Sequence, residues 1–185
     1  MSSMPLQRLR HSLVAVAAMA ALAGCAEDAP VGPSEYPDKP AVDLGCDSLR
    51  VPAGSTLAFH AYAQGVQVYH WDGTSWNFVA PSAKLFADAQ GTAVVGRHYA
   101  GPTWESASGG TVVGAVRARC TPNPDAIPWL LLGAVSSEGP GVFQGVTHIQ
   151  RMNTVGGKAP TENGSFQDQV REMPYTAEYF FYRAP

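Results

Sequence analysis

Lysine, cysteine and long apolar runs are what this sequence has least of. Three lysines and nine arginines stand against fifteen Asp and Glu in 185 residues, a net charge of −3, and no basic cluster lies beyond Arg8 and Arg10. That excludes the dense positive surface that nucleic-acid binding needs. The longest uncharged apolar run, Leu13–Ala23, falls short of the ~20 residues that cross a bilayer, so no transmembrane helix is expected. There is no GxSxG and no Walker pattern, which leaves nucleophilic catalysis and nucleotide binding without a signature. His60, His70, His98 and His148 stand in no HxH, HExxH or CxxH spacing, so no metal site is readable and no cofactor is implied.

What is present begins with a leader. Arg8, Arg10 and His11 form a positive start, and the eleven residues Leu13–Ala23 form an apolar core of signal-peptide length. Leu22-Ala23-Gly24-Cys25 then resembles the lipobox of bacterial lipoproteins. There, a thiol just outside the apolar segment receives a diacylglycerol, and the chain is cut before the cysteine. Residues 1–24 are therefore expected to be a lipoprotein signal peptide, with Cys25 the lipidation site. The protein is expected to be exported and held in the cell envelope by several acyl chains, which supply the two or more hydrophobic signals that stable anchoring requires. Loss of the leader leaves ten basic against fifteen acidic residues. Residues 25–45 carry Pro30, Pro33, Pro37 and Pro40 among acidic residues with no periodic apolar pattern, and read as an extended tether.

From Cys46 to Pro185 short apolar runs of period two alternate with turn residues, as in Leu57, Phe59, Ala61 and in Val66, Val68, His70. Asp72-Gly73 between two such runs predicts a hairpin, because both residues tolerate positive φ. Further runs cover 92–99, 111–119, 129–135, 142–152 and 175–183, and only 82–89 has the look of a helical turn. The expectation is one all-β domain, an antiparallel sandwich or barrel of about eight to ten short strands. Tyr175–Tyr182 is aromatic on both faces, which predicts a central strand covered on both sides. Cys46 and Cys120 predict a disulfide in an exported domain, closing a loop of about 75 residues; a pair of buried thiols or one reactive thiol is the alternative.

Five strings occur in order: Gly65-Val66-Gln67-Val68-Tyr69; Gly96 to Glu105, with His98-Tyr99 and Thr103-Trp104-Glu105; Ile127 to Leu132; Ile149 to Gly157; and Pro174 to Tyr179. Together they resemble the domain-of-unknown-function 3455 family of exported bacterial and fungal proteins, over roughly Cys46 to Tyr182. The resemblance implies no activity, cofactor or catalytic residue. The chain departs from it at Ser108-Gly109-Gly110, where members often carry Asp-Gly-Ser, and at Asn163, near which many carry a cysteine.

The candidate binding residues are His98, Trp104, Glu105, Arg151 and Asn153. An aromatic face beside a carboxylate and an imidazole suits a glycan or other polyol, whose CH groups stack while its hydroxyls bond the polar heads. The competing reading makes Trp104 core and Glu105 a turn ligand. Arg151 and Asn153, ahead of Gly156-Gly157, suit a small anion, against the plainer reading of a surface arginine and a flexible loop. The expected function is a binding or structural module without established activity. The alternative is a hydrolase in which His98 and Glu105 serve as acid and base in a shared pocket.

Overall fold

The computed structural model describes Pro40, Val42 and residues 45–185; the leader, Cys25 and most of the tether lie outside the described residues. One 3-10 turn, Asp47–Leu49, precedes eight strands: β1 (Thr56–Trp71), β2 (Trp76–Phe86), β3 (Val94–Tyr99), β4 (Thr103–Ser106), β5 (Thr111–Cys120), β6 (Trp129–Glu138), β7 (Val146–Gly156) and β8 (Val170–Arg183). Each strand pairs antiparallel with its neighbour in sequence, and β1 pairs with β8, so the sheet closes into an up-and-down barrel. Closure removes the exposed edges that an open sheet of this size would present. All-β architecture is thus what the sequence pattern predicted. The strand number is eight, and β1 and β8, at 16 and 14 residues, are long rather than short.

The helical turn expected at 82–89 does not form. Residues 82–86 continue β2, paired on one side with Tyr62–Val66 of β1 and on the other with Val94–His98 of β3. Two flanking ladders outweigh the weak helical preference of an Ala-containing stretch. The Asp72-Gly73 hairpin forms as expected, with Gly73 at φ 98°.

Alternation sets the two faces. Ala61, Ala63, Leu85, Trp104, Leu132, Ile149, Tyr179 and Phe181 point into the barrel and form its core. Phe180 and Tyr182 point outward, yet both are buried, because the segment before β1 lies over them. Val42, Cys46 and Leu49 join Trp129, Met152, Phe180 and Tyr182 in a second, outer cluster. That explains why β8 is aromatic on both faces. Gln150 Nε2 donates to Leu49 O and Arg50 Nη2 to Val42 O, which fixes this strap in place. Cys46 is disulfide-bonded to Cys120, the last residue of β5.

Packing inside the barrel is uneven along its axis. At the end where the chain enters β1 and leaves β8, Phe59, Phe143 and Phe181 make a plug with ring centroids 4.7 to 5.8 Å apart. Trp104 meets Phe181 edge-on above it. Gly114 makes room for that indole: a Cβ there would lie 3.1 Å from the ring.

Candidate functional site

The opposite end of the barrel is not filled. A cavity of about 510 Å³ lies there, and every one of the eight strands contributes to its wall. Turns 100–102 and 121–128 lie at this end, with Gly101-Pro102 and Ile127-Pro128 on the rim. Phe78, Val79 and Val116 line the mouth and are exposed. A larger groove of about 640 Å³ crosses the outer face over Gln64, Lys84, Arg97 and Tyr99. It is shallow, and its Arg97 is already paired with Glu105, so the lumen is the better-formed site.

The lumen wall is apolar with a few placed polar groups. His98 is buried and stacks on Trp104, with centroids 4.4 Å apart and planes 8° from parallel. Its Nδ1 lies 2.8 Å from Thr103 O; a carbonyl only accepts, so the proton is on Nδ1 and Nε2 is the acceptor. Burial, with the charge of Arg151 adding to it, holds the imidazole pKa down at about 3, so the ring is neutral. Arg151 donates from Nε and Nη2 to Pro128 O at 3.1 and 2.8 Å, which orients the guanidinium and leaves further N–H groups available. Ile127 N donates to Gly156 O and Thr154 Oγ1 to Ile127 O, pinning the turn that carries Pro128. Tyr69 Oη donates to Gly157 O, 2.8 Å away.

Gln67 Nε2, Tyr175 Oη and Tyr179 Oη are buried in this half of the barrel as a cluster that interacts with itself and with Arg151, and Trp104 Nε1 beside them has no hydrogen-bond partner. Desolvation raises both tyrosines' pKa, and each is also influenced by the other and by the Arg151 charge. Buried polar groups are normally satisfied, so an orphan indole N–H beside this polar cluster marks the site rather than the core.

Of the five expected binding residues, His98, Trp104 and Arg151 share the lumen and Glu105 and Asn153 do not. His98 pairs across the ladder with Trp104, and Arg97 with Glu105, so alternation sends Glu105 to the outer face. There its carboxylate accepts from Arg97 Nη2 and Tyr99 Oη at 2.8 Å, which holds its pKa below the usual carboxylate range. His98 and Glu105 therefore lie on opposite faces of the sheet. Asn153, at φ 49°, donates instead to Glu178 Oε1 on the outer face; Glu178 Oε2 lies 2.9 Å from His60 Nε2. The Gly156-Gly157 pair lines a separate groove of about 500 Å³ with Lys158 and Arg171 rather than the lumen, and a Cβ on Gly157 would meet Tyr175, Gln67 and Ile127. Among the described residues no three His, Cys, Asp or Glu converge as a metal site.

Gln67, Tyr69, Arg119 and Tyr179 complete the polar lining and were not among the expected residues. Their signal was a polar residue at an inward position, as in Ala61, Ala63, Gly65, Gln67, but which parity faces inward follows from the ladders.

Residues 52–183 match the profile of the family described as "Protein of unknown function (DUF3455)". No curated protein and no solved structure matches the chain.

Proposed function

Because the chain belongs to the DUF3455 family, a family of exported proteins without an assigned activity, we propose that it is a binding protein whose barrel lumen takes one small organic molecule. The observation that carries this reading is the asymmetry of the interior. One half is plugged by phenylalanines, and the other keeps about 510 Å³ empty beside a buried polar cluster and the unpartnered Trp104 Nε1. Eight-stranded barrels have interiors either just filled by side chains or able to hold one small ligand. A half-satisfied polar set is worse for stability than an apolar core. A ligand that accepts from Trp104 Nε1 offsets that deficit. With Glu105 on the outer face, no carboxylate of the lumen lining stands with His98 as the acid and base of a hydrolase.

The test is thermal unfolding of the purified protein against apolar acids, amides, sugars and polyols, repeated with Val116→Phe, which narrows the mouth at a partly exposed position. A ligand at 100 times its dissociation constant adds about 2.7 kcal/mol. A stabilising compound whose effect is lost in Val116→Phe is the expected outcome. A flat panel favours a structural or adaptor role.

The same reading places the barrel in the bacterial cell envelope as a lipoprotein, tethered through Cys25. Its support is the order of positive start, apolar run and Leu22-Ala23-Gly24-Cys25. Labelling cells with a clickable fatty acid tests it: the label is expected on the protein and absent from Cys25→Ser.

A further inference from the structure

The ligand's charge follows from the lumen lining. Resting on the reading of the lumen as a small-molecule site, we propose that its ligand is an organic monoanion, an apolar body ending in a carboxylate that Arg151 holds and Arg119 attracts. Both arginines line the cavity, and no Asp or Glu does. Neither arginine has a carboxylate within ion-pair distance among the described residues, whereas Arg50 and Arg97 each have one. The charge of Arg151 acts on Tyr69, His98, Tyr175 and Tyr179 alike, so the half of the barrel that holds the cavity is positive. Its guanidinium is set by Pro128 O and keeps N–H groups for a second acceptor, the fork that a carboxylate matches.

The uncharged groups fit the same class. Trp104 Nε1 is a buried hydrogen-bond donor without an acceptor, and a carboxylate is all acceptor. Trp104, like Arg151, belongs to the cavity wall. An ammonium ligand meets the opposite situation: two like charges, against the uncharged acceptors His98 Nε2, the hydroxyl oxygens and the Gln67 amide oxygen. The rest of the wall, with Phe78, Val79, Val116, Leu130 and Leu132, asks for an apolar body. A sugar, with hydroxyls on every side, leaves most of those hydroxyls facing carbon.

The experiment uses three bodies, naphthyl, phenylpropyl and octyl, each as carboxylate, primary amide and ammonium. Binding is read by tryptophan fluorescence and calorimetry at pH 7.5 on the purified protein. At least one carboxylate is expected to bind tenfold or more tightly than its amide, with the matching ammonium weakest and the preference falling as salt rises. Arg151→Gln is expected to abolish that tenfold preference of carboxylate over amide. Arg151→Lys keeps part of it, having charge without the fork. Circular dichroism confirms that each variant is folded. Equal affinity for carboxylate and amide overturns the anion proposal and leaves the lumen reading standing. A carboxylate preference that survives Arg151→Gln overturns the assignment to Arg151. No binding by any of the nine compounds overturns the lumen reading and the proposal with it.

Discussion

A histidine sealed into the wall of a cavity makes the protein sensitive to mild acid. The folded-state pKa of His98, about 3, lies below the 6.5 of an unfolded chain, so the unfolded state binds the extra proton between those values. The stability this confers is complete above pH 6.5 and is lost as pH falls, at up to about 1.4 kcal/mol per pH unit. His148, pushed down chiefly by burial and then by Arg117, acts in the same direction. Glu105 and Glu178 are also held low, but their window opens below the ordinary carboxylate pKa, so pH 7 to 5 isolates the histidines. Urea midpoints are expected to fall from pH 7 to 5, and His98→Gln to flatten that slope down to the share of His148. Equal slopes in the two proteins would refute the assignment. Gly114 gives a second test at this scale. Gly114→Val drives two methyl groups toward Trp104 and Ile149, and is expected to cost about 1–3 kcal/mol in urea unfolding.

Strands and turns were the legible level. Period two placed most strands, and Asp-Gly placed the β1–β2 hairpin, because both signals are local. Misreading 82–89 had the opposite cause: Ala83 and Ala87 weaken the strand pattern, and only the ladders to β1 and β3 decide the stretch. The site was half legible for one physical reason. His98, Trp104 and Arg151 carry chemistry that stands out in any sequence, but whether a neighbour such as Glu105 shares their face depends on alternation within a sheet whose inside is defined only by closure. The turn itself yields a prediction. Asp72 accepts from Thr74 N, Thr74 Oγ1, Ser75 N and Asn77 Nδ2 at 2.7–2.8 Å, which holds its carboxyl well below the usual range. Asp72→Ala is expected to lower the Tm and speed amide exchange at 73–77 while leaving lumen binding unchanged, since Asp72 is outside the cavity wall.

For the molecule as a whole, the strap and the lumen are mechanically joined. Cys46 ties the segment before β1 to Cys120 at the end of β5, the same end at which the cavity opens. The turn that starts at residue 121 carries Pro128, whose carbonyl orients Arg151. Opening the disulfide frees both the strap over Phe180 and Tyr182 and one anchor of that turn. On the chain-entropy model a crosslink between residues 74 apart in sequence contributes about 4 kcal/mol, so a double Cys46→Ala, Cys120→Ala variant is expected to unfold at clearly lower temperature. It is also expected to lose part of its carboxylate preference, because a looser Pro128 leaves the guanidinium less fixed and ordering it again opposes binding. Asp72→Ala provides the contrast, lowering the Tm from the same end of the barrel without touching Arg151. If the double variant loses stability but discriminates carboxylate from amide as sharply as the parent, the turn's own bonds from Gly156 and Thr154 suffice, and the disulfide serves the strap alone.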